Sequence, residues 1–292
     1  MTTTVYDLLL ALSKPSFVTR KIVGYWVSTL YKNDFKRRLD FNAISKPEYG
    51  YGAYYAAYQA KSLGYRSLSL IELGVAGGNG LVALENIALW LERTFNLKID
   101  VYGFDAGVGM PEASNYMDLP YVWKKGFFKM DTEKLLSSLK KAKLIIGNAE
   151  QTIPDFIKNG NPNPIGFISF DLDYYSSTVL AMKILSQDSG FYIPRVYCYF
   201  DDCIGDDHEL HSEFTGELLA INEFNKSHDD RKLGKINGLR YKRVFDDKWS
   251  EEYFVLHLFD HPKYNININP KKNWQHPLNE KKNKALSPLI VQ

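Results

Sequence analysis

Apolar and polar positions along the chain follow two periods, and the order in which they alternate predicts most of the architecture. Residues 68–73 alternate and then run on apolar, as in a strand buried on both faces. Four glycines follow within seven positions, at Gly74, Gly77, Gly78 and Gly80. Leu81, Leu84, Ile87, Ala88 and Trp90 then recur at helical spacing. Further strands are predicted at 99–104, 143–146, 165–170, 195–200, 239–244 and 253–259, with 245–250 as a hairpin-like connection. Helices are predicted at 53–63, closed by Gly64, at 131–139 behind an Asp131 N-cap, from 152 to 157 and around 213–224. Strands alternating with helices make an α/β protein with a doubly wound sheet. Residues 4–39 predict two short helices parted at 13–16, ahead of a break in the pattern at 46–52.

Polar residues gather where the strands stop. The first strand carries Glu72 near its end, the second ends in Asp105, and the third runs into Gly147-Asn148-Ala149-Glu150. The fourth ends in Asp171-Leu172-Asp173-Tyr174-Tyr175-Ser176-Ser177-Thr178 and the fifth in Asp201-Asp202. Open α/β sheets bind ligands outside the carboxyl ends of their strands, so these are candidate site residues. Two neighbouring strands ending in acidic pairs are hard to explain as packing, because clustered carboxylates repel unless protonated or bridged by a cation. Oxygen donors of this kind suit Mg²⁺ or another hard divalent ion. His208, His211, Glu213 and Glu217 form a second polar group, with Glu213 and Glu217 spaced to share a helix face.

The glycines admit two frames. A dinucleotide pattern fits residues 78–83 but begins too late after the strand for its tight first turn. Glu72-x-Gly74-x-x-x-Gly78-x-Gly80 keeps the acidic residue in the strand end. That frame resembles motif I of the class I S-adenosylmethionine-dependent methyltransferases. With residues 71–78, Gly103-Phe104-Asp105, 171–178 and Phe200-Asp201-Asp202, the ordered set looks like the macrocin O-methyltransferase-like branch, over roughly residues 50–260. The resemblance implies a Rossmann-like seven-stranded, mostly parallel sheet with an antiparallel last strand and an N-terminal helical extension. It divides the chain into an extension at 1–47, a methyltransferase domain at 48–262 and a surface tail at 263–292. Glu72, Gly74, Gly78 and Asn79 would serve the methionine part of S-adenosylmethionine, Asp105 the ribose, and Asn148 and Ala149 the adenine edge, with Asp171 closing the site. Asp171, Asp201 and Asp202 would ligate Mg²⁺, and Asp173 is the candidate general base. The sequence departs from the branch at Cys203-Ile204-Gly205, where an aromatic residue is expected.

Composition narrows the field further. The 292 residues are 45% hydrophobic and 24% charged, ordinary for a globular protein, and a net charge of +2 gives no reason to expect a nucleic-acid partner. No apolar run reaches membrane-spanning length and no signal peptide is evident. Cys198 and Cys203 lack zinc-ligand spacing and indicate no disulfide framework, so a reducing cytoplasm is the expected compartment. Twenty tyrosines are compatible with a sugar-like or aromatic substrate, though tyrosine-rich surfaces also occur without that role, and the family resemblance implies a sugar or small natural-product acceptor. Residues 113–130, with Tyr116, Tyr121, Trp123, Phe127 and Phe128, read as a lid on the substrate or as local aromatic packing. The N-terminal helices read as a membrane-surface or homo-oligomerisation arm, or as a cover for the sheet or the active site. Two other functions compete. Asp171-Leu172-Asp173 is a D-x-D of the kind that metal-dependent glycosyltransferases use, and a non-catalytic nucleotide-binding module would keep the fold without the chemistry.

Overall fold

A computed structural model describes residues 15–270. The first half of the predicted N-terminal helices and most of the tail lie outside the described residues. The described chain forms α1 (Pro15–Leu30), α2 (Phe35–Asp40), α3 (Pro47–Ser62), β1 (Ser67–Leu73), α4 (Asn79–Phe95), β2 (Lys98–Asp105), α5 (Thr132–Ser138), β3 (Lys143–Ile146) and α6 (Ala149–Asn159). It continues through β4 (Ile165–Phe170), α7 (Tyr175–Ala181), β5 (Tyr192–Phe200), α8 (Gly216–Ser227), β6 (Arg231–Lys235) and β7 (Tyr253–Leu258). Seven strands make one sheet in the order β3-β2-β1-β4-β5-β7-β6. The first five pair in parallel, and β7 runs antiparallel to both β5 and β6. This is the sheet the sequence predicts. Its order reverses between β1 and β4, which opens a crevice at their carboxyl ends.

The period of two along each strand sorts side chains into two cores. Leu68 and Leu70 of β1 point to a layer shared with Leu81, Leu84 and Leu91 of α4 and with Ala53, Ala56, Ala57 and Ala60 of α3. Ile71 and Leu73 point to the other layer, with Phe104, Ile168, Phe170 and Phe200 against Ile153 and Phe156 of α6 and Ile221 and Phe224 of α8. Phe35 and Leu39 bring α2 into the first layer. Small residues let α3 lie close to the sheet: a Cβ on Gly52 would collide with the Phe167 ring.

Two predicted elements move. The helix expected at 53–63 begins at Pro47, because the glycines that seemed to break it, Gly50 and Gly52, are buried against neighbours, and proline is at home in a first helical turn. The sixth strand is Arg231–Lys235, while 239–244 holds a 3₁₀ turn. An edge strand with only Arg231 and Leu233 turned inward carries no apolar run for a sequence pattern to detect.

Helix α1 reaches the body through Arg20, which pairs with Asp247, donates to the Asp246 carbonyl at 2.9 Å and lies 4.9 Å from the Phe245 ring centre. Val18, Ile22, Tyr25, Trp26 and Leu30 of that helix are each more than half exposed. Among the described residues no helix is long and apolar enough to cross a membrane. Cys198 and Cys203 are buried free thiols.

Candidate active site

The glycine turn and the β4 tip meet over the crevice. Gly74 has φ +87°, and a Cβ there would collide with the Asp171 carbonyl oxygen, so both backbone shape and closeness require glycine. The Asp171 amide donates to the Leu73 carbonyl at 3.0 Å and the Gly74 amide to that of Phe104 at 2.9 Å. Asp105 at the β2 tip holds the turn: its Oδ2 accepts from the Val75 and Ala76 amides at 2.9 and 2.8 Å, and its Oδ1 from the Gly107 amide at 2.6 Å. A carboxylate has about four acceptor positions, so one remains for a ligand. Asn148 caps α6, its Oδ1 accepting from the Glu150 amide at 2.9 Å, and the Gly147 amide bonds back to the Asp105 carbonyl. Asn148 and Ala149 thus sit on the Asp105 side of the crevice.

Glu72 is enclosed beneath the turn. The Tyr49 hydroxyl donates to its Oε1 at 2.7 Å, and Gly80 lies hard against the same oxygen, while Oε2 is buried with no partner. Burial pushes its pKa up to about 8, with the Tyr49 bond opposing.

On the other side stands a crowd of acids. Asp173 has φ +58°, a left-handed conformation that costs an aspartate on the order of 1–3 kcal/mol, and its amide donates to Asp202 Oδ2 at 2.8 Å. The Asp202 amide donates to Glu217 Oε2 at 3.1 Å, an acid read from sequence as helix surface and found fully buried. Burial, then the charges of Asp201 and Asp202, raise the Asp171 pKa well above the carboxylate range. Burial followed by Asp173 does the same to Asp202, and burial followed by Asp202 to Glu217. Asp173 is pushed to about 7 by burial and by Asp171, Asp201 and Glu209. The Tyr199 hydroxyl lies 2.5 Å from Asp201 Oδ1 and 2.8 Å from Glu252 Oε2. Burial pushes Glu252 up to about 7, with the Tyr199 bond and the Lys248 charge opposing.

Two lysines face this crowd. Burial works against the Lys46 ammonium, yet Glu48, Asp171, Asp201 and Glu72 outweigh it and raise its pKa. Lys248 is placed likewise against Glu252, Asp201 and Asp202, with its Nζ 3.5 Å from Glu252 Oε1 and 3.2 Å from the Ile204 carbonyl. The predicted Mg²⁺ centre does not match this arrangement. Asp171, Asp201 and Asp202 share one end of the sheet, but among the described residues no three or more His, Cys, Asp or Glu side chains converge closely enough to hold a metal ion. One oxygen of Asp202 is bonded to a backbone amide and one of Asp201 to Tyr199. The chemistry of the donors suits a hard cation; their geometry does not close on one.

Residues 106–130 are tied to the body by the buried Asp118, by the Tyr174 hydroxyl on the Pro111 carbonyl at 3.4 Å and by the Tyr121 hydroxyl on the Glu209 carbonyl at 2.8 Å. Asp118 is fully enclosed: Oδ1 accepts from the Ser176 amide at 2.8 Å, and Oδ2 from the Ser176 hydroxyl at 3.0 Å and the Ser114 amide at 2.7 Å. Tyr116, Tyr121, Phe127 and Phe128 remain exposed, while Met110 and Leu119 turn inward. His208 is exposed, His211 pairs with Glu209 at 3.1 Å, and Glu213 falls before α8 begins, so the expected pairing of Glu213 with Glu217 on one helix face is absent. Sequence reading passed over Lys46, Tyr49, Asp118, Tyr199 and Glu252. Only Lys46 and Tyr49 carried a signal, the Pro47 that opens α3 between them.

A separate cavity of about 850 Å³ lies along the outer face of α4, bordered by α2, α5 and the Gly77–Asn79 end of the turn. Asp171, Asp173, Asp201 and Asp202 do not line it.

No protein-family model and no curated protein matches the chain. Among solved structures, one of CalS11, a calicheamicin methyltransferase, is similar at 20% identity over 71% of this chain and 78% of that one, with a TM-score of 0.49. An apo structure of CalS11, described as a TDP-rhamnose 3′-O-methyltransferase, gives 18% identity, the same coverages and a TM-score of 0.40. The plantazolicin methyltransferase BamL, solved with S-adenosylhomocysteine, gives 13% identity over 75% and 77% of the two chains and a TM-score of 0.33.

Proposed function

We propose that this chain is an S-adenosylmethionine-dependent O-methyltransferase acting on a hydroxyl of a sugar or small natural product. One observation carries the reading: the Glu72–Gly74 turn, held by Asp105 and pressed onto the Asp171 backbone, sits at the reversal of strand order beside a carboxyl pushed to about 7. The turn fits such a cofactor, because the space beside Gly77 is open and Glu72 keeps a buried oxygen without a partner. Gly74, Gly78, Asn79 and Glu72 would take the methionine end. Asp105 has an acceptor position left that would take a ribose hydroxyl, and Asn148 and Ala149, at the start of α6, would meet the adenine.

The cofactor, when bound, supplies an electrophilic methyl group. The protein's own part is to hold the acceptor hydroxyl in line and remove its proton. Asp173 is fixed for that by its left-handed backbone and its bond to Asp202, and a base with a pKa near 7 both accepts and releases a proton at neutral pH. Lys46 and Lys248 temper the negative field around Asp171 and Asp201, and no step is assigned to a metal. The D-x-D reading of Asp171-Leu172-Asp173 leaves the glycine turn idle, although Gly74 and Asp171 are in backbone contact.

The reading is tested by incubating the protein with methyl-labelled S-adenosylmethionine and a panel of hydroxylated sugars and small natural products, with EDTA or with Mg²⁺. Label should pass to an acceptor oxygen at equal rates in both media, and Asp173→Asn should lower the rate about 100-fold or more. Transfer that stops in EDTA would show the aspartates closing around an ion. Full activity in Asp173→Asn would remove that residue as the base.

A further inference from the structure

The 850 Å³ cavity beside α4 falls within the range of small-molecule sites, about 300–1,000 Å³, and of its lining the reading above uses only Gly78 and Asn79, at one end. Its wall along α4 is mostly apolar, with Val82, Ala83, Ile87 and Trp90 around an Asn86 whose amide donates to the Val82 carbonyl at 2.8 Å, and Leu135 of α5 also lines it. Its charged lining is one-sided. Arg38, Lys129 and Lys134 contribute cations against the single acid Asp131, whose Oδ1 is engaged by the Lys134 amide at 3.1 Å. Lys129 and Lys134 form no ion pair with any described residue. Arg38 is held in place, with its Nε donating to the Ala43 carbonyl at 3.0 Å and its guanidinium 4.9 Å from the Trp90 ring centre.

From this we infer a second small-molecule site, for a ring-bearing ligand with a phosphate or carboxylate group. The ring lies along Val82 and Trp90, where burial of apolar surface favours it. The anionic group lies among Arg38, Lys129 and Lys134, where charge complementarity selects an anion over a neutral or cationic analogue. The site is distinct from the crevice at the strand tips. It does share a wall with the glycine turn, because Leu135 also fills the space a side chain on Gly78 would occupy.

The experiment is a calorimetric titration of the intact protein with 1-naphthyl phosphate, 1-naphthoate and neutral 2-naphthol, each with and without saturating S-adenosylhomocysteine. At least one anionic probe should bind at one site with millimolar affinity or better, and naphthol at least tenfold more weakly. The two anions tell phosphate from carboxylate recognition. A Lys129→Gln/Lys134→Gln double variant should weaken binding about tenfold, with its thermal melt unchanged, and added NaCl should weaken it in the wild type. Val82→Trp, which fills the cavity, should abolish it. No binding of either anion, equal binding of naphthol, affinity unchanged in both variants, or displacement by S-adenosylhomocysteine would each overturn the assignment.

Discussion

A carboxyl group enclosed on all sides, bonded on one oxygen and bare on the other, keeps its proton to a higher pH than one in water. Glu72 is such a group, pushed by burial from 4.5 to about 8. Its folded-state pKa lies above the unfolded one, so its contribution to stability is complete below about pH 4.5 and is lost as the pH rises through about 8. Asp173 and Glu252, both near 7, act in the same direction. The melting temperature should therefore fall between about pH 4.5 and about pH 8 and level off above that. Glu72→Gln, neutral and of the same shape, should flatten the upper part of that fall. A flat wild-type profile, or an unchanged slope in the variant, would show that Glu72 ionises freely. The acids of the site could be read from the chain because each ends a strand, and strand ends are visible in an apolar pattern. Their partners could not. Tyr49, Lys46 and Glu252 come from segments far along the sequence and meet the acids only through tertiary packing.

Among the elements, the loop from 106 to 130 is held most deeply at Asp118, its one fully buried acid. Sequence offered two accounts, a substrate lid or local aromatic packing. The structure pins the loop by the carboxylate of Asp118 on the first turn of α7 and leaves most of its aromatic rings outside. Removing that carboxylate takes the shared acceptor of the Ser114 and Ser176 amides out of a partly buried place, so Asp118→Ala should cost about 2 kcal/mol in urea unfolding. Tyr116→Ala, at an exposed ring on the same loop, should cost less than about 0.5 kcal/mol. Equal costs for the two would contradict the pin. The glycine turn was legible because its residues have local reasons to be glycine. The Asp118 contact was not, since one aspartate in an irregular stretch carries no periodic signal. The sixth strand was missed for a related reason: Arg-Lys-Leu-Gly-Lys is polar, and only pairing with β7 makes it a strand.

Over the whole molecule, the doubly wound order puts every strong candidate on one end of the sheet, at the crevice where β1 and β4 diverge. That much followed from alternating strand and helix patterns, because the first five strands are parallel and long enough to show. The metal centre has no such support: among the described residues the three aspartates share one end of the sheet without forming a cluster close enough to hold an ion. The central claim is that the Glu72–Gly74 turn and Asp105 form a cofactor site. It is met most directly by calorimetric titration of the purified protein with S-adenosylhomocysteine. The account predicts saturable one-site binding, weakened about tenfold or more by Asp105→Ala and unchanged by EDTA; no binding at millimolar ligand would contradict it.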